Sequence, residues 1–203
     1  MMTASETPGW DAIDGALKKI YGDQTPQHFG TVRRFDEGGP DPLDGLSIYT
    51  QEDHFHYVGY GLSELYVKES DNLERSGWGI ELTFRLKRDG QAEAAQWPLT
   101  MLQRLARMIW KDHQLFRDGD AADAGPLGGH ATAITAIGFT ADPQLGTIQT
   151  PHGELTFLQV VGLTRAEFEA ASVSREATWQ VLANLKASNP YLVTDLSRVS
   201  PPV

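Results

Sequence analysis

The 203-residue chain contains no cysteine. Disulfides, thiolate nucleophiles and cysteine-ligated zinc or iron–sulfur sites are therefore excluded. Basic charge is scarce: 17 Lys and Arg against 27 Asp and Glu leave a formal charge of −10. Such a field repels phosphate and anionic lipid and attracts a basic partner, which argues against nucleic acid as a direct ligand. No window approaches the run of about 20 apolar residues that spans a bilayer. The opening MMTASETPGW has neither the basic nor the apolar region of a secretory signal. The expectation is a soluble cytoplasmic protein with no membrane attachment. Forty per cent apolar and 22% charged residues form an ordinary globular composition, and the length suits one domain over 1–203 with frayed tails at about 1–8 and 199–203.

Hydrophobic periodicity supplies the elements. Trp10, Ile13, Leu17 and Ile20 recur at helical spacing until Gly22 offers a stop. HFGTVRRF, LSIYTQ and HFHYVGYG are rich in aromatic and β-branched residues and read as strands. In GWGIELTFRLKR, Ile80, Leu82, Phe84 and Leu86 alternate with Glu81, Thr83, Arg85 and Lys87, the period-2 pattern of a sheet buried on one face. The main helix is expected over 98–116, with Pro98 in its first turn and Leu102, Leu105, Ile109 and Phe116 on its apolar face. Trp110 points away from that face, either to pack under a later loop or to meet a partner.

RDGDAADAGPLGGHA reads as a mobile acidic surface loop. AITAIGFTA and GELTFLQVVGL follow as strands. Thr164 and Glu167 make a T-x-x-E capping box, REATWQVLANLKA is a further helix, and YLVTDL a last strand that could lie at an exposed edge. No internal repeat or domain linker interrupts the order, which predicts an α+β fold with a mostly antiparallel sheet packed with helices.

Motifs for chemistry are few. His54 and His56 share one face of a strand and could grip a metal if Glu81 joined them, but nothing in the sequence fixes that third ligand, so no metal or cofactor is expected. Asp118, Asp120 and Asp123 start like a calcium loop, yet Ala122, Asp123 and Gly129 stand where an acid, a glycine and a glutamate are needed. GYGLSE lacks the remaining residues of a phosphate loop and reads as a bulge or close strand crossing. There is no G-x-S-x-G elbow and no H-E-x-x-H, so a catalytic role is not expected. EGGPDPLDG, at 37–45, is a stiff corner, with two prolines fixing φ and Asp41 and Asp44 available to cap local N–H groups.

GGPDPLDGLSIYT, HFHYVGYGLSELY, GWGIELTFRLKR, WPLTMLQRLAR, IQTPHGELTFLQVVGLT and YLVTDL, in that order, resemble the N-terminal domain of the suppressor of fused family. The resemblance runs from about Gly9 to Arg198. It implies an α+β domain that binds protein and does not catalyse. Animal members clamp an extended peptide of a transcription factor between this domain and a second one, by β-strand addition. Single-domain relatives look bacterial, and the resemblance implies a toxin-neutralising immunity protein, with a regulator of an endogenous transcription factor as the alternative. By the resemblance FRDGD nominates Asp120 for the peptide site, and Met108 stands where the family has a tyrosine. With Trp110 and Asp118 these form the expected partner-binding set.

Overall fold

The structure, a computed structural model, describes residues 6–35, 37–129 and 132–199. It is built on one eight-stranded sheet. The strands are β1 (Gln27–Gly30), β2 (Gly45–Thr50), β3 (His54–Tyr60), β4 (Arg75–Lys87), β5 (Ala121–Asp123), β6 (Ile134–Ala141), β7 (Thr147–Thr150) and β8 (Gly153–Thr164), and the helices α1 (Pro8–Tyr21), α2 (Trp97–Asp112), α3 (Arg165–Ala171) and α4 (Arg175–Ser188). The order is β1-β2-β3-β4-β8-β6-β5, with β7 paired to β8. Every pairing is antiparallel except β4 with β8.

Alternation divides the core. Tyr57, Leu82, Phe84 and Val160 face α2, whose Leu102, Leu105 and Ile109 complete one cluster. Val58, Tyr60 and Phe157 face the other way onto Ile13 and Leu17 of α1, and Val161 and Leu163 meet Ala171 and Leu182 of α3 and α4. Helices therefore cover both faces. This corrects the one-face reading of β4: Glu81, Thr83 and Arg85, expected in solvent, are all 0% exposed. A period of two shows that the faces differ in polarity, not that the polar one is wet.

Local signals that depend on near neighbours hold. Thr164 accepts from the Glu167 N–H while the Glu167 carboxylate accepts from the Thr164 N–H, so the capping box forms and starts α3. Gly22 ends α1 with φ +61°. Pro8 already belongs to α1, whereas residues 1–5 and 200–203 lie outside the described residues, as do Asp36, His130 and Ala131. The 37–45 segment is a strapped corner. Gln103 of α2 bonds both the N–H and the C=O of Leu43, and Asp41 pairs with Arg107 of α2. In GYGLSE, a Cβ on Gly61 would lie 2.6 Å from the Pro42 carbonyl oxygen, the close crossing that glycine allows.

Four boundaries differ from expectation. Thr31–Phe35 leave the first strand after Gly30. The helix expected to 116 stops at Asp112, where His113 turns left-handed at φ +53°; Phe116 still reaches the core, stacked 4.5 Å from Phe139. The glycine-rich acidic loop carries β5, an edge strand paired with β6. YLVTDL forms no strand: Leu86 and Thr194 make a single parallel bridge, and Leu192 sits at φ +52°. Among the described residues, no helix is long and apolar enough to cross a membrane.

Candidate functional site

The residues first suspected of catalysis are dispersed. His54 and His56 do lie on one face of β3, but opposite Lys87 and Arg85 of β4. His54 Nδ1 is 2.6 Å from Asp53 Oδ1, and its ring lies 6.2 Å from that of Tyr191. Glu81 is four residues from Arg85 along β4, about 13 Å at strand rise. Its Oε1 accepts the backbone N–H groups of Gly61, Leu62 and Ser63 and the Ser63 hydroxyl, all within 3.1 Å. Burial nevertheless pushes this carboxyl up to about 7, against those four donors. Glu81 is therefore the pin of the loop after β3 and no partner of the histidines. Among the described residues no group of three or more His, Asp or Glu is placed to hold a metal.

A buried polar cluster occupies the gap between α1 and α4. Arg85 Nη1 donates to Asp142 Oδ2 at 2.6 Å and to Gln159 Oε1 at 2.5 Å, and Nη2 to Asp142 Oδ1 at 3.1 Å. The Thr83 hydroxyl and the N–H groups of Gln144 and Leu145 complete the shell of Asp142. His56 joins through Tyr21 at 2.6 Å, with its Nε2 3.3 Å from Asp142. Burial, then the charge of Arg85, lowers this imidazole to about 4, so it is neutral at pH 7. Burial alone would raise Asp142, but His56 and Arg85 hold it far below the usual carboxylate range. Gln159 continues the cluster outward by donating to the carbonyls of Tyr191 and Leu192. Sealed from solvent, the cluster joins β3, β4, β8 and the segment after α4.

The four residues nominated for partner binding are not brought together. Asp118 and Asp120 lie on the turn that leads into β5, close beneath α4. Asp120 Oδ1 accepts from Arg175 Nε at 2.9 Å and Oδ2 from the Arg117 N–H at 2.9 Å, while Asp118 Oδ1 accepts from Trp179 Nε1 at 3.0 Å. Gly119 fits between them because a Cβ there would stand 2.7 Å from Trp179 Nε1. Trp179 keeps 45% of its surface exposed. A cleft of about 310 Å³ opens beside Asp120, between β5, Leu115, Ser172 and Arg175. Arg175 and Trp179 carried no signal in the sequence, since only the fold of α4 over the turn brings them to the acids.

Met108 and Trp110, two residues apart on α2, project about 200° from each other. Met108 packs on the core shared by α2 and the sheet. Trp110 faces the opposite way and packs on Trp78 and Phe35, at ring separations of 5.7 and 5.6 Å. The structure therefore groups Asp118 with Asp120, and places Trp110 elsewhere.

Geometry alone defines the class: an α+β protein whose central sheet is sandwiched by helices and ends in a short edge strand beside an acidic turn. The family model described as suppressor of fused protein matches residues 39–199. The suppressor of fused homologs of human and mouse are 36% and 35% identical over 208 residues, covering 94% of this chain and 43% of each relative. This chain belongs to the suppressor of fused family, and spans less than half the length of those two relatives. Among solved structures, a Sufu chain in a Sufu–Fu complex superposes at TM-score 0.84 with 30% identity, covering 97% of this chain and 93% of that one. Drosophila Suppressor of Fused gives 0.86 and 30%, over 96% of this chain and 51% of that one. A SUFU homolog from Neisseria gonorrhoeae shares the fold at TM-score 0.62 with 15% identity, over 95% and 96%.

Proposed function

We propose that this chain is a non-catalytic binding module that sequesters a protein partner on the turn and edge formed by Asp118, Asp120 and β5. The observation that carries the reading is the close likeness to a Sufu chain seen in complex with another protein, Fu. The local geometry supports it. β5 ends the strand order, so among the described residues its outer edge has no neighbouring strand and can accept an extended segment. Trp179 stands over the turn that leads into it, hydrogen-bonded to Asp118 and 45% exposed, as interface anchors are. Met108, half-buried on α2, packs on the core shared with the sheet and is not part of this surface.

A finer proposal concerns the partner: a basic secreted toxin, neutralised by this chain as an immunity protein in the cytoplasm. The net charge of −10 supports a basic ligand. Arg175 competes for Asp120, however, so a basic segment must share that carboxylate or displace the guanidinium.

The test is co-purification on the immobilised chain, followed by affinity measurement for the protein recovered. Trp179→Ala and Asp120→Asn are each expected to weaken binding at least about tenfold, the range of a hot spot. Arg175→Ala is expected to tighten a basic partner about two- to fivefold, since it removes a half-exposed competitor. Unchanged affinity in all three variants would remove the partner from this surface. Rescue of growth on co-expression with a basic toxin would support the finer reading, and binding of a transcription factor alone would replace it.

A further inference from the structure

A second concavity lies on the β1–β4 half of the molecule, away from β5. Its volume is about 480 Å³, within the range of ligand sites. One wall is aromatic. Trp110 of α2 meets Trp78 of β4 edge to face at an interplanar angle of 80°, and Phe35 leans on Trp110 at 51°. An adjoining wall, bonded to it through the Trp78 N–H and the Leu62 carbonyl at 2.9 Å, is the loop after β3, from Gly61 to Val67, pinned by Glu81 through three consecutive backbone N–H groups. The cleft is thus built between two held walls. Trp110 remains 39% exposed and Val67, at the rim, 59%.

The charges of the lining narrow the ligand. One cation, Arg34, stands against three carboxylates, Asp44, Glu64 and Glu69. Arg34 lies 3.6 Å from Asp44 and covers the Tyr66 ring at 4.3 Å from its centroid, so that ring face is already taken by a guanidinium. Glu64 is engaged by Lys68 at 2.7 Å and by the backbone N–H groups of Glu69, Ser70 and Gly77. Glu69 stands exposed at the rim. The balance is negative, which disfavours an anion, while the aromatic lining is Trp110, 39% exposed, with the half-buried Phe35 and Trp78, whose ring also leans on His113 at 6.0 Å. Rings packed edge to face accept a further ring by the same quadrupolar geometry.

We infer that this cleft is a second binding site, which takes an aromatic side chain carried on an uncharged or basic segment of a protein partner. The inference rests on the reading of the chain as a protein-binding module, but uses none of the residues of the β5 surface; Trp110, expected from the sequence to act with Asp118 and Asp120, belongs to this cleft instead.

The probe is N-acetyl-tryptophanamide, titrated into the full chain with the indole N–H signals of its five tryptophans followed by NMR. Saturable shifts of Trp78 and Trp110, half-complete at or below about 1 mM as a ligand of this size allows, are expected, with Trp10, Trp97 and Trp179 unmoved. Trp110→Ala should weaken the response at Trp78 more than tenfold. Intermolecular NOEs from the probe ring to Trp78 and Trp110 in the unsubstituted protein give the same readout should that variant not fold. N-acetyl-tryptophan, which carries a carboxylate, should bind at least fivefold more weakly. Absence of a saturable shift, a shift confined to Trp179, equal binding of the carboxylate, or displacement of the amide by N-acetyl-argininamide at equal concentration would each overturn the proposal. So would a dimer dissociated by the amide, which would put a second copy of the chain in the cleft. The β5 variants read on a different signal, so failure here leaves the first surface to stand or fall separately.

Discussion

Replacing Asp142 by asparagine tests what the buried cluster does for the fold. Asp142 and Arg85 are both 0% exposed in their side chains, with two hydrogen bonds between them. Asparagine keeps the size but turns one acceptor oxygen into an N–H donor that faces Thr83 and Arg85, and it leaves the guanidinium buried with no charge to balance it. His56 offers none, because it is already neutral at pH 7. Removing one member of a buried ion pair costs about 3–5 kcal/mol, a large share of the roughly 5–15 kcal/mol by which a domain is stable. At about 2–4 °C per kcal/mol for a chain of this length, the midpoint of thermal unfolding should fall by about 6–20 °C. Urea unfolding followed by circular dichroism gives the free energy directly. The pair substitution Arg85→Met with Asp142→Leu should lose less than Asp142→Asn alone, because two apolar groups leave no orphaned charge. A loss under about 1 kcal/mol for Asp142→Asn, or a double variant less stable than the single one, would refute the argument that the charges are held by each other.

Two buried groups should make stability respond to pH with opposite signs. His56 falls from 6.5 to about 4 in the fold, so its contribution is present above pH 6.5 and lost as pH drops toward 4. Glu81 rises from 4.5 to about 7, so its contribution is present below pH 4.5 and lost as pH climbs through 7. Relative to the unsubstituted protein, Glu81→Gln should add a positive dependence of about 1 kcal/mol per pH unit between those limits, and His56→Gln a negative one, read from urea midpoints. Equal slopes in all three proteins would show that neither group is shifted. Thr164→Ala removes one half of the capping box and should cost about 1–2 kcal/mol, read in the same unfolding assay; no change would mean that the Glu167 carboxylate holds the start of α3 by itself.

Local order was legible wherever a few neighbouring residues decide it. Gly22 ends α1, Pro98 opens α2, Thr164 caps α3, and the alternation in GWGIELTFRLKR marks β4. The family resemblance nominated Asp120, which the fold sets on the turn into β5 beside Arg175. Boundaries that depend on what lies across space were not legible. His113 leaves the helix although the apolar spacing continues to Phe116, because that side chain reaches the core from an extended segment. Ala121–Asp123 look like loop and form a strand, because the edge that β6 offers overrides the weak strand preference of alanine and aspartate.

The sequence by itself determined the class of the fold, the family and most of the elements, since periodicity, turn chemistry and caps act over a few residues and are written in order along the chain. Only the tertiary structure decided that the polar face of β4 is a sealed cluster, that α4 lays Arg175 and Trp179 on the acidic turn, and that Trp110 belongs to a separate aromatic cleft. Each of these depends on a second layer brought from 30 or more residues away. Alternation reports which side chains share a face, and what covers that face is settled only when the layers close.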